Sequence, residues 1–407
     1  MRINRDRLLR RLNELGTVGG LPGGGCARLA LTDDDRAGRD LVTMWMRDLG
    51  LDVAVDAVGN VVGLWQVGNV DAAAVMTGSH IDTVRTGGIY DGNLGVLAGL
   101  EIIERCQESG VIPNRPLAVA FFTNEEGARF APDMLGSLGY VGAMTAEEAH
   151  DIIAIDGERL GDELTRIGYL GPTPCPGPVP HAYVELHIEQ GPVLEEQSVD
   201  IGVVTGVQGI SWQELTITGR SSHAGTTPMR LRRDPMVVAA RITAFVHDLA
   251  VDRGEPQVAT VGKIDAFPNL VNVVPSTVTI TLDLRHTDEA TLQAVEATVA
   301  EYVAAVADAE GCSVVRRTLA RFEPVEFNPR VIDLVESTAR RHGRSTLRMP
   351  SGAGHDAQML ARVCPTAMIF TPSVGGLSHN PAEFTHPEDI EAGANVLFDV
   401  ILALCAS

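Results

Sequence analysis

The side chains of this sequence best suited to chemistry are imidazoles and carboxylates placed where apolar runs meet polar loops. His80 and Asp82 stand two apart at the end of AAAVMTGSHIDT, a spacing that sends both side chains to one face of a strand. Asp91 follows in the short glycine-rich stretch GGIYDG, which can fold back on them. Glu125 and Glu126 close the run LAVAFFTNEE, His187 and Glu189 lie in ELHIEQGP, and His379 lies in GLSHNPAE. Imidazole and carboxylate donors together suit zinc, manganese, cobalt or nickel. Three histidines with two carboxylates are enough for two ions that share a bridging ligand. The adjacent glutamates fit a division of labour, in which one binds metal and the other moves protons for a metal-bound water. Neighbours in an extended segment point to opposite sides, so both roles need the turn that Gly127 permits.

Such residues need a scaffold, and the sequence predicts one. From about residue 40, apolar strand-like runs alternate with helical segments. DGNLGVLAGLEIIERCQESG (91–110) reads as a helix that starts at an Asp–Gly turn and stops at Gly110. Repeated strand–loop–helix units predict an α/β fold with a largely parallel sheet. Ligands collect at the carboxyl ends of the strands in open sheets of this kind. Beyond the proline-rich stretch 172–183 the texture changes. The segments 212–222 and 277–286 alternate apolar and polar residues, as half-buried antiparallel strands do. Helical segments at 233–250 and 289–307 interleave with them. The expected architecture is therefore a mostly parallel-sheet catalytic domain of residues 1–208 and 325–407, interrupted by a smaller α+β domain of residues 209–324.

The chain has 407 residues, too many for one compact core. Its formal charge is 32 − 53 = −21, a field that repels a phosphate backbone and excludes nucleic acid as an expected partner. An anionic substrate would need a locally positive pocket. The six cysteines are scattered without a CxxC pair, which suits free thiols in a reducing compartment. The first sixteen residues form an amphipathic pattern on Leu8, Leu9, Leu12 and Leu15 rather than a signal peptide. No uncharged stretch reaches the roughly 20 residues that span a bilayer. The expectation is a cytoplasmic protein with no membrane association. GLPGGGCAR lacks the GK[ST] of a phosphate loop, and Ser222 lacks the flanks of a nucleophile elbow.

Seven motifs occur in order along the chain: GSHIDTVRTGGIYDGNLGVLAGLE, FFTNEEGARF, ELHIEQGPVLE, HAGTTPM, NLVNVVPSTVTITLDLRH, SGAGHDAQ and SHNPAE. Through them the sequence resembles the hydantoinase/carbamoylase branch of the metallopeptidase-like amidohydrolases. That branch includes N-carbamoyl-L-amino acid hydrolases, β-ureidopropionases and allantoate amidohydrolases. The resemblance implies two divalent metal ions held by His80, Asp91, Glu126, His187 and His379, with Asp91 as the bridge. It implies Glu125 as general base and acid, and Asp82 as the carboxylate that orients a metal-bound imidazole. His223 is implied as the group that polarises the scissile carbonyl. Asn272 and Arg285 are implied to hold the substrate carboxylate, with further contacts from Gln190, Gln208 and the Gly354 backbone. A guanidinium suits that task because it binds a carboxylate through two parallel hydrogen bonds. The implied substrate is a small ureido acid, foremost an N-carbamoyl-L-amino acid, with allantoate and β-ureidopropionate as alternatives. A catalytically silent binding protein is the remote alternative. The inserted domain is implied to act as lid and homodimer interface. The histidine in HIEQGP follows the carbamoylase pattern, whereas peptidase and aminoacylase relatives usually carry an acid there.

Overall fold

The computed structural model describes residues 1–406. They form two compact units: Met1–Gly206 joined by the chain from Glu326 onward, and Val207–Val325. The insertion expected at 209–324 thus begins at Val207 and ends at Val325.

The larger unit is built on a nine-stranded sheet. Its first strands are β1 (Asp52–Val55), β2 (Val61–Trp65), β3 (Val75–His80), β4 (Leu117–Phe122), β5 (Ala182–Ile188) and β6 (Ile201–Val207). The smaller unit contributes β7 (Gly209–Thr218), β8 (Ser222–His223), β9 (Val258–Thr260), β10 (Ile264–Phe267), β11 (Val273–Val274), β12 (Thr277–His286) and β13 (Ser313–Phe322). The large sheet is completed by β14 (Val325–Glu326), β15 (Thr346–Ser351) and β16 (Thr366–Thr371), in the order β1-β2-β4-β3-β5-β16-β6-β14 with β15 beside β6.

At its centre, β4, β3, β5 and β16 run parallel. Each of the four is buried at every position, as expected of strands covered on both faces. Their carboxyl ends therefore open on the same side. Close packing here depends on Gly78, where a Cβ would lie 2.0 Å from the carbonyl oxygen of Ala120. The helix Asn93–Ser109 packs on this core and ends at left-handed Gly110.

The expected α/β architecture is the one observed, and its sheet is mixed, with a parallel centre and antiparallel flanks. β1 pairs antiparallel with β2, β2 with β4, and β6 with β16. β1 and β2 are joined by a tight turn, and a turn that short can connect only antiparallel strands. The Asp56 carboxylate shapes it by accepting the N–H groups of Val58 and Asn60, each at 2.9 Å.

The smaller unit is a five-stranded sheet, β10-β12-β7-β13 with β9 beside β12, and its strand pairs are antiparallel. Along β12 burial alternates, so Val278, Ile280, Leu282 and Leu284 face the helices Pro235–Arg253 and Glu289–Ala309. Thr281, Asp283 and Arg285 lie on the opposite face. A short ribbon, β8 with β11, stands apart from this sheet. Among the described residues no helix is long and apolar enough to cross a membrane.

Candidate metal centre

Every donor singled out in the larger unit sits at or beyond the carboxyl end of a central parallel strand. His80 ends β3, Glu125 and Glu126 follow β4, His187 is the penultimate residue of β5, and the loop after β16 carries His379. Asp91 precedes the helix Asn93–Ser109 in a turn folded back over β3. Gly92 makes that turn possible: its φ is 65°, and a Cβ there would lie 2.5 Å from the His80 ring.

Backbone carbonyls set the tautomers of the two buried imidazoles. His80 donates from Nδ1 to the carbonyl of Asp82 at 2.9 Å, and His187 donates from Nδ1 to the carbonyl of Ile188 at 2.9 Å. Each ring therefore turns Nε2, the atom a metal-bound histidine uses, toward the site. Both Nε2 atoms face the same oxygen, Oδ1 of Asp91, at 3.4 Å from His80 and 3.2 Å from His187. Oδ2 of Asp91 faces the other way, 3.7 Å from Nε2 of His379, which is 3.1 Å from Oε2 of Glu126. Two donor groups result, His80–Asp91–His187 and Asp91–Glu126–His379, and Asp91 belongs to both.

A third group, Glu185–His187–His355, is already satisfied by hydrogen bonds. Glu185 accepts from Ser79 Oγ at 2.6 Å, Tyr183 Oη at 3.2 Å and the Ala357 N–H at 2.9 Å. His355 meets Ser351 Oγ at 2.8 Å and packs edge-on against His187 with ring centroids 4.7 Å apart. This group steadies His187 from behind. Neither Glu185 nor His355 was singled out from the sequence, although both lie inside the quoted motifs ELHIEQGP and SGAGHDAQ.

The electrostatics call for positive charge. Burial pushes Asp82 up to about 6 and Glu383 up to about 7, and it pushes Glu125 well above the usual carboxylate range. Burial opposes charge on Asp91 as well, but His187 and His80 outweigh it and hold that carboxyl well below its ordinary value. The hydrogen bond to Glu126 leads the causes that raise His379 to about 9. Protons alone would have to balance several carboxylates packed into one low-dielectric pocket. Divalent ions would balance them better, and imidazole Nε2 atoms with paired carboxylates are the donor set such ions take. The residues therefore fit two ions.

One expected role needs correction. The Asp82 carboxylate accepts the N–H groups of Glu125 at 3.3 Å and Glu126 at 3.4 Å, while the His80 ring is oriented by the Asp82 main-chain carbonyl. Asp82 thus shapes the turn that carries the two glutamates. Gln190, expected to touch substrate, donates from Nε2 to Asp91 Oδ2 at 2.8 Å, and its buried Oε1 has no hydrogen-bond partner. Its left-handed backbone, φ 61°, and an N–H bond to Ser373 Oγ at 3.0 Å turn its amide onto that carboxylate. Glu125 Oε2 lies 3.4 Å from His80 Nε2. The Gly354 backbone passes close to Met134, whose Cε would be 2.9 Å from an added Cβ.

His223, Asn272, Arg285 and Gln208 belong to the smaller unit. Nδ1 of His223 accepts the N–H groups of Gly225 at 3.0 Å and Thr226 at 3.2 Å, so its proton sits on Nε2 as an outward donor. Asn272 directly precedes β11, whose Val273 lies across from His223. Arg285 grips Asp283, with Nε 3.0 Å from Oδ1 and Nη2 2.8 Å from Oδ2, and its guanidinium lies 5.9 Å from the Trp212 ring centroid. Gln208 donates to the carbonyl of Pro256 at 3.3 Å.

The profile of peptidase family M20/M25/M40 matches residues 76–403, which take in all five candidate ligands. The chain belongs to this family. An N-carbamoyl-L-amino-acid amidohydrolase of Rhizobium meliloti is 42% identical to it over 403 residues, covering 98% of this chain and 96% of that protein. An allantoate amidohydrolase of Escherichia coli (strain K12) is 35% identical over 395 residues, covering 97% and 96%. A crystal structure of a hydantoinase/carbamoylase family amidase from Burkholderia multivorans matches with a TM-score of 0.96 and 44% identity, covering 100% of this chain and 99% of that one. This M20-family chain is an amidohydrolase with side-chain clusters able to hold metal ions.

Proposed function

We propose that the enzyme hydrolyses the carbamoyl C–N bond of N-carbamoyl-L-amino acids, giving the L-amino acid, carbon dioxide and ammonia. The observation that carries the reading is Asp91, whose two oxygens face two different donor groups. In this reading His80, Asp91 and His187 hold one divalent ion and Asp91, Glu126 and His379 hold the other, the ions being zinc, manganese, cobalt or nickel. When bound, the ions supply Lewis acidity, which polarises a carbonyl and lowers the pKa of a water.

Glu125 does the proton work. It takes a proton from the attacking water as oxygen bonds to the carbamoyl carbon, then gives it to the amino-acid nitrogen as the C–N bond breaks. The carbamate that leaves decomposes to carbon dioxide and ammonia. His223 donates from Nε2 to the carbonyl oxygen as negative charge develops there. Arg285 and Asn272 hold the α-carboxylate, and Gln208 and the Gly354 backbone complete the grip. The homodimer and the cytoplasmic location belong to the same reading. All six cysteines are free thiols, which suits a reducing compartment.

The likeness to an allantoate amidohydrolase keeps allantoate as a second substrate. The deciding experiment measures ammonia release by enzyme stripped with a chelator and reloaded with each of the four metals. N-carbamoyl-L- and D-amino acids, β-ureidopropionate and allantoate are the substrates. Metal-dependent turnover of the L-carbamoyl series is expected. Turnover confined to allantoate or β-ureidopropionate would replace the substrate, and silence on all four classes would overturn the reading.

A further inference from the structure

Glu383 ends the motif SHNPAE and has no role in the chemistry above, yet it is 5% exposed and reaches the centre of the site. Its Oε1 accepts the N–H groups of Tyr90 at 3.0 Å and Asp91 at 3.2 Å. Its Oε2 meets Ser378 Oγ at 3.2 Å, and the same hydroxyl lies 2.9 Å from Asp91 Oδ2. The side chain fills space that only a glycine leaves open, since a Cβ on Gly88 would lie 2.1 Å from Oε1. Glu383 thus ties together two segments far apart in sequence, the turn that carries Asp91 and the loop that carries His379.

That loop needs a tether. It is closed at its base by the Val374 N–H bond to the Phe384 carbonyl at 2.9 Å and tightened by the Glu383 N–H bond to the Asn380 carbonyl at 2.9 Å. His379 itself is left-handed, with φ 52°, and its side chain is 51% exposed. His80 and His187, in contrast, are built into buried strand ends and do not depend on this loop.

We propose that Glu383 is a positioning residue that locks the His379 loop onto the Asp91 turn, and so preserves the second ion position, Asp91–Glu126–His379, without being needed for the first. The inference rests on the two-ion reading. It implies that losing the carboxylate splits the two positions: the strand-borne one persists and the loop-borne one weakens.

The test titrates chelator-stripped full-length protein with Mn(II) by calorimetry and counts bound ions by elemental analysis. Wild type should bind two ions per chain; fewer would contradict the two-ion reading itself and the inference with it. Glu383→Ala should keep one ion at wild-type affinity and bind the other about tenfold or more weakly. Glu383→Gln should restore two-ion binding, because its amide oxygen can accept from Tyr90 and Asp91 while its NH2 donates to Ser378. Two ions at unchanged affinity in Glu383→Ala would overturn the proposal. So would equal loss of both ions with a wild-type circular dichroism spectrum, or a Gln variant as defective as Ala. Should Glu383→Ala fail to fold, Glu383→Asp shortens the side chain by one methylene and withdraws the carboxylate from the Tyr90 and Asp91 N–H groups; the same selective weakening is expected, and unchanged binding there also overturns the proposal.

Discussion

His187 and Arg285 both lie near the ends of regular strands, yet they occupy opposite environments. His187 is 1% exposed, its tautomer fixed by a backbone carbonyl and its back packed by His355. Arg285 lies on the open face of β12, with a side chain 22% exposed and held by an acid two residues away. The larger unit fixes its functional atoms before any ligand arrives. The smaller unit presents the guanidinium of Arg285, the proposed grip on the substrate carboxylate, on a sheet face. Charge development during reaction calls for the first kind of environment, since preorganised groups in low dielectric stabilise it most. Grip on a charged, variable substrate tolerates the second.

The largest expected effect breaks the buried side of this contrast. Asp91→Ala removes the one carboxylate common to both donor groups, so elemental analysis should find both ions lost and turnover undetectable. Glu125→Gln should keep the full metal content and lower kcat by roughly 10² to 10⁴-fold, the usual share of a general acid–base group. Loss of metal in that variant would instead make Glu125 a ligand. On the open side, Arg285→Lys keeps the charge but loses the planar fork. It should raise KM about tenfold or more for acid substrates and change kcat less, as steady-state kinetics would show.

The clustering of donors in the large unit was partly legible in the sequence, because His80, Glu125, Glu126 and His187 end or follow apolar runs and parallel strands bring such ends together. The helix at 91–110 and the alternating strands of the insertion were legible for the same reason, a single dominant period each. The antiparallel flanks were not, because an apolar run has the same pattern in either orientation. The role of Asp82 was also hidden. A residue type names a capability, but only the fold decides whether a carboxylate or its own carbonyl meets the neighbouring ring. Glu383 was passed over because its partners are backbone N–H groups, which leave no mark in a sequence.

The smallest expected effect lies away from both sites. Hydrogen bonds from Arg166, 2.6 Å from Glu163, and from Arg129 hold the Glu163 carboxyl below its ordinary value of 4.5. A depressed carboxyl stabilises the fold above its unfolded pKa and loses that contribution as pH falls through the folded value. Glu163→Gln should therefore cost about 1–2 kcal/mol at pH 7. In chemical denaturation the difference from wild type should shrink below about pH 4.5 and approach zero in stronger acid.

The measurement closest to the central claim is anomalous diffraction from crystals grown with Mn(II). Two peaks are predicted, one bonded to His80 and His187 and the other to Glu126 and His379, with one oxygen of Asp91 on each. A single peak, or an ion held by Glu185 and His355, would contradict the shared-carboxylate centre.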